Sequence, residues 1–146
     1  MNLTVIRFFN LIVMALLATA LHAQQADLVA EEDAEKVRQV IVTQLDALSQ
    51  DDADRAFATT TPSVRAALGS SGRFLAMVRG AYPMVYRPSS VSFHKPEKDE
   101  ETVLQLVEIK DSDAKSWLVV FALEQQPDRS WRISGCLVAE NRWQTI

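Results

Sequence analysis

Few residues of this chain can build a reactive site. There are two histidines, His22 and His94, and one cysteine, Cys136. A zinc site of His and Cys ligands needs more donors than this. A Ser-His-Asp arrangement would have to use His94 as its base. His94 has the opposite parity to Val91 and Phe93, which turns it away from the face those residues share. Cys136 becomes a nucleophile only where a nearby base lowers its pKa, and His94 lies in another strand-like run. The glycines, at 69, 72, 80 and 135, form no phosphate-cradling loop, and no nucleotide, flavin or calcium motif is present. The sequence therefore implies neither metal nor cofactor.

What remains is the segment Tyr82-Pro83-Met84-Val85-Tyr86-Arg87-Pro88. A tyrosine hydroxyl can donate to a developing oxyanion, and an arginine can clamp a carboxylate. Trp117, Phe121 and Trp131, with Leu45 and Met77, can supply apolar wall to a cavity. Tyr82, Tyr86, Arg87, Trp117, Phe121 and Trp131 are accordingly the candidate ligand-binding residues, and none is assigned as catalytic. The competing role is structural: tyrosines at the core's edge, and Arg87 paired with an acid of the first helix. An enzymatic alternative takes Asp46 as the base of an isomerase or hydratase, with a tyrosine as donor.

The elements that must position these residues begin after an export signal. Arg7 is the only charge before Asp27, and an apolar run from Phe8 to Leu21 follows it. Small residues come next, and the expected cleavage is after Ala23, with Ala20 as the alternative. The run is shorter than the roughly 20 apolar residues of a spanning helix, so no stable membrane anchor is expected and the mature chain is placed in the periplasm or outside the cell. Residues 24–146 then form one domain. The mature chain has a net charge of −5, one unit below that of the full sequence because Arg7 leaves. An acidic chain lacks the footprint for nucleic acid. Nine acids fall between residues 27 and 54, whereas residues 55–96 carry Arg55, Arg65, Arg73, Arg79, Arg87 and Lys95 without an acid. Either two surfaces balance each other, or the basic stretch meets an anionic partner.

Helices come first. Val37, Val40, Ile41, Gln44, Leu45 and Leu48 share a stripe at helical spacing, predicting a helix over Glu31–Ser49. Asp51 is expected to cap a second helix, with Ala53, Ala56 and Phe57 facing inward. Thr61-Pro62 opens a third, ended by Gly69. Ser70 or Ser71 opens a fourth, closed by Gly80. The two prolines at 83 and 88 are expected to preclude regular structure between them. Strands follow at Val91–Phe93, Thr102–Ile109, Trp117–Glu124 and Trp131–Ala139, with turn chemistry between the last three. The result is an α+β fold, N-terminal helices packed on a curved antiparallel sheet of about four strands.

Strand parity divides the sheet. Val103, Val107, Ile109, Trp117, Val119, Phe121, Leu123, Trp131, Ile133 and Leu137 are odd and bulky, and should face the helices. Leu104, Leu106, Leu118, Val120, Ala122, Cys136 and Val138 are even, and too apolar for a solvated face. A homodimer packed through that second face is the first explanation, and cover from the N-terminal segment is the other. Cys136, which can form no intrachain disulfide, would be a buried thiol there.

The stretch Gln44 to Leu48 with Asp51-Asp52-Ala53 and Ala56-Phe57, the run Phe74 to Pro83, Tyr86-Arg87-Pro88 and Trp131 to Cys136 together resemble the exported bacterial proteins of domain-of-unknown-function family 4864. The resemblance covers essentially the whole mature chain. The order of elements is also similar to the nuclear-transport-factor-2-like fold, a cone of sheet around helices. That fold hosts isomerases, dehydratases, ligand carriers and dimeric adaptors, and fold does not choose among them. The resulting expectation is an uncharacterised exported protein, a non-catalytic module that binds a small ligand or a partner protein, with the isomerase and the dimeric structural adaptor as alternatives.

Overall fold

Three acids, Glu31, Glu32 and Asp33, open the first helix, α1 (Glu31–Ser49), where they face the positive end of its dipole. The computed structural model describes residues 28–142; the expected signal and its cleavage point lie outside the described residues. Val37, Ile41, Leu45 and Leu48 are buried along the expected stripe, together with Gln44 and Ala47. The chain then reverses at Asp51, which adopts a left-handed φ of 58°, a conformation Asp tolerates better than most residues.

That reversal moves the next cap by one residue. The cap of α2 (Ala53–Ala58) is Asp52, not Asp51; its carboxylate accepts from the Arg55 N–H at 3.1 Å. Ala56 is fully buried while Phe57 is only partly so. Thr61 caps α3 (Pro62–Leu68), with Pro62 in the first turn and Gly69 ending it at φ 87°. Ser70 caps α4 (Ser71–Ala81). Gly80 does not close this helix. The stop is Pro83, which forces its predecessor Tyr82 out of helical geometry, to φ −132° and ψ 56°. Between the two prolines a regular element does form: Pro83–Tyr86 makes one turn, α5. Proline lacks only the N–H that a first turn leaves unused, so Pro83 starts a helix without penalty.

The sheet has five antiparallel strands: β1 (Ser90–Phe93), β2 (Glu97–Asp99), β3 (Thr102–Lys110), β4 (Ser116–Gln125) and β5 (Trp131–Glu140). Its order is β1-β3-β4-β5, and β2 pairs with the opposite end of β3 from β1. The fold is thus α+β, with one strand more than expected. β2 reads Glu-Lys-Asp, is exposed throughout, and pairs through its backbone alone, so no apolar pattern announces it.

Val103, Val107, Ile109, Val119, Phe121, Leu123, Trp131 and Ile133 are buried, and form one core with the α1 stripe, Phe74, Val78, Met84 and Val85. The odd parity therefore holds as far as Ile133. Beyond it the pattern inverts. Leu123 pairs with Ile133, but Ala122 pairs with Gly135, so Ser134 is an extra residue, a β-bulge. Directly opposed residues share a face, and Phe121 opposes Cys136 while Val119 opposes Val138. Cys136 and Val138 thus belong to the helix side, and Leu137 turns outward to 75% exposure. Both expectations are corrected by this one insertion. Cys136 is also exposed rather than buried.

Candidate functional site

β5 is the last strand of the sheet's path, and it packs against α1 and α3. A cavity of about 300 Å³, open on one side, lies there. Gln44 enters it from α1, and Thr60 from the link between α2 and α3. Val64, Ala67 and Leu68 come from α3, and Phe74, Met77 and Val78 from α4. Tyr82 and Val85 close one end, and Ile133, Ser134, Gly135 and Cys136 form the strand side. Side chains of a regular strand alternate between its two faces. Here that alternation is interrupted at the bulge, and the four residues around it border the hollow.

The link between α2 and α3 is held against β5 by backbone bonds. The Ile133 N–H donates to Thr59 O at 2.8 Å, and the Thr61 N–H donates to Ile133 O at 3.0 Å. This fixes Thr59 and Thr60 beside the cavity floor. Gln44, 4% exposed, donates from Nε2 to Thr59 Oγ1 at 2.9 Å. The Thr60 hydroxyl donates to Phe57 O at 2.6 Å, and that of Ser134 to Ala122 O at 3.2 Å. Met77 and Tyr82, 39% and 38% exposed, stand at the mouth.

None of the lining residues carries a charge at neutral pH. Cys136 is reached by solvent from one side, but the cavity wall crowds its other side, and this desolvation pushes the thiol up to about 11. It is therefore protonated and a weak nucleophile at neutral pH. The other hollows found on the described surface are each bordered by charged residues. One beside Trp131 is bordered by Glu32, Glu35, Lys36, Asp128, Arg129 and Arg132, which suits water better than an apolar guest.

Of the six candidate residues, Tyr82 alone borders the cavity. Tyr86 donates its hydroxyl to Asp51 Oδ1, and this bond to a carboxylate raises the phenol above its ordinary value. Arg87 donates to Asp51 Oδ2 and to Ser49 O, each at 3.3 Å, and its guanidinium lies 4.7 Å from the Tyr86 ring centre. Arg79 stacks on the same ring at 5.5 Å. These residues clamp the turn after α1. Trp117 donates its indole N–H to Asp111 Oδ2 at 2.9 Å, and this bond first of all holds Asp111 below the usual carboxylate range. Phe121 is wholly buried in the core. Trp131 donates to Asp33 Oδ1 at 3.2 Å, near the start of α1.

Asp46 sits on the exposed side of α1 in a 2.7 Å ion pair with Arg55, and no carboxylate borders the cavity. An acid-base mechanism through Asp46 has no route to the apolar hollow. Arg55, Arg79 and Arg87 all meet acids of the 46–51 stretch, so half of the basic run is balanced by the acidic one. Among the described residues no group of three or more His, Cys, Asp or Glu is placed to hold a metal, and no helix is long and apolar enough to cross a membrane.

Gln44, Thr60, Ser134 and Gly135 were not among the candidates. Gln44 had a signal, being a polar residue on an otherwise apolar stripe. Gly135 inside a strand pattern is the usual mark of a bulge.

Helices laid on one face of an antiparallel sheet, with an uncharged hollow at the sheet's edge, define an α+β domain of pocket-bearing type. The chain belongs to the family described as a domain of unknown function (DUF4864), whose model matches residues 30–146. No curated protein matches the sequence.

Proposed function

We propose that the chain is an exported, non-catalytic module that holds a small apolar molecule in the cavity between α3, α4 and β5. The observation that carries this reading is the wall: aliphatic and aromatic side chains with a few fixed polar atoms and no charge. Its volume is at the lower end of those that hold small ligands. A cavity with no carboxylate, histidine, lysine or arginine in its wall offers little to general acid-base catalysis. The order Arg7, apolar run, small residues supports export to the periplasm or beyond. Helices followed by a strand meander support the cone-shaped, nuclear-transport-factor-2-like variant of the fold.

The test is fluorescence of the neutral apolar dye N-phenyl-1-naphthylamine with the mature protein. Saturable enhancement at one dye per chain is expected, and Ala67→Trp, which fills the hollow from an exposed helix position, should abolish it. Enhancement that survives in folded Ala67→Trp places the binding elsewhere. Native mass spectrometry of the protein purified from its own compartment reads the cleavage site and any retained molecule together. A retained Phe8–Leu21 segment would contradict the export reading.

A second reading, a homodimer through the sheet, is favoured by the other face. Leu104, Leu106, Leu118 and Val120 are only half-buried there, and Leu137 stands out at 75% exposure. Leu137→Glu should shift a dimer to monomer in sedimentation velocity; a wild-type monomer at high concentration removes this reading.

A further inference from the structure

The hydroxyl hydrogens in and beside the cavity's interior are already committed within the protein. The Thr59 hydroxyl donates to Ala56 O at 2.6 Å, so it has no proton left for Gln44. The Gln44 group 2.9 Å from it must therefore be the amide nitrogen, and this orients the side chain. Gln44 Oε1 then receives no hydrogen bond from any described residue, although Gln44 is 96% buried and borders the cavity. Every fully enclosed side-chain polar atom among the described residues does have a partner. Gln44 Oε1 is thus an accessible acceptor, and the space beside it is the cavity. Thr60 and Ser134 have likewise given their protons to Phe57 O and Ala122 O, leaving lone pairs.

From this pattern we infer that the ligand is an uncharged apolar molecule bearing a hydrogen-bond donor, of which alcohols and phenols are the simplest class, and that it donates to Gln44 Oε1. The inference rests on the binding reading above and narrows it. A carboxylate would leave water for a wall that holds no cation to offset its desolvation. A cation would find no anion to offset its desolvation. An ether or a hydrocarbon leaves Gln44 Oε1 dehydrated and unpaired, which costs affinity.

Isothermal titration of the mature protein at pH 7 with 1-naphthol, 1-methoxynaphthalene and 1-naphthoate tests it. 1-Naphthol should bind about three- to tenfold more tightly than its methyl ether, the worth of one neutral hydrogen bond, and 1-naphthoate should bind weakest. In Gln44→Met the affinity for the ether should persist while the preference for the hydroxyl falls below about twofold. Equal binding of naphthol and ether by the wild type overturns the inference and leaves the binding reading standing; this comparison does not depend on any variant folding. A folded Gln44→Met that keeps the full preference overturns the assignment to Gln44. Failure of all three compounds to bind overturns the binding reading itself.

Discussion

Cys136 is the chain's one cysteine, so its reaction with a neutral disulfide such as 2,2′-dithiodipyridine reports a single position. The bulge at Ser134 turns this residue toward the helices, opposite Phe121, where the cavity wall raises the thiol from 9.0 to about 11. Two pH units mean about a hundredfold less thiolate at pH 8 than an unshifted thiol would supply. The rarer thiolate is also the more basic one. With nucleophilicity rising as about 0.4–0.5 of the pKa change, it recovers about tenfold. The net expectation is exchange about tenfold slower in the folded protein than in the same chain unfolded in urea at the same pH. The sharper readout is shape: the logarithm of the rate should still climb with unit slope at pH 10. A rate that levels near pH 9, or one equal to that of the unfolded chain, would refute the desolvation reasoning, because solvent on the open side would then outweigh the wall. Deleting Ser134 removes the extra residue but leaves Gly135 opposite Ala122 and Cys136 opposite Phe121 on the helix side, so the bend should stay where it is in the parent. A bend that moves back toward pH 9 in a folded deletion variant would show that the facing of Cys136 alone does not set the thiol's surroundings.

Further outcomes are expected elsewhere. Phe121→Ala, at a fully buried position of β4, should destabilise the domain by about 3–5 kcal/mol in urea unfolding. Gly69→Ala should cost about 1–2 kcal/mol, because its φ of 87° is left-handed; the new Cβ would meet only the Arg73 side-chain end at 3.3 Å, which can move aside. Thr61→Ala removes the acceptor for the Val64 N–H and should cost about 1 kcal/mol. Tyr86 is bonded to Asp51, which raises its phenol above 10.0, so this bond contributes stability below pH 10 that is lost as pH rises through the folded value. Asp51→Asn keeps an acceptor and tolerates the left-handed φ but removes the charge. Titration followed at 295 nm should show Tyr86 ionising earlier in that variant.

The fold was legible wherever one local rule decides. The stripe of α1, the Thr61 and Ser70 caps and the alternation of β3 and β4 each follow from a few neighbouring residues. It was not legible where a single residue changes meaning through its surroundings. Asp51 could cap a helix, but it makes the left-handed reversal and anchors Tyr86 and Arg87 instead, so the cap passes to Asp52. Tyr82 and Tyr86 are four apart, which in one helix would place them on one face. Pro83 breaks that relation by forcing Tyr82 out of helical geometry, and only Tyr82 reaches the cavity.

The aromatic candidates show a different limit. Strand parity correctly puts Phe121 and Trp131 in the core but says nothing of position along the sheet. The cavity lies at the edge of β5, behind α3 and α4, away from Trp117 and from the start of α1 where Trp131 is tied. What selects that place is an irregularity. A regular β5 would turn Gly135 and Leu137 toward the helices and Ser134 and Cys136 away. The extra residue instead puts Cys136 on the helix side with Ile133, and the four residues around it border one hollow, which they share with a helix whose single buried amide has an acceptor to spare. Gly135 and Gln44, a glycine within a strand and a polar residue within an apolar stripe, both depart from pattern and both border the site, whereas Gln105, a buried amide on the odd side of β3, departs from pattern elsewhere. Departures of that kind are where a binding function can be expected to override the local rules of folding.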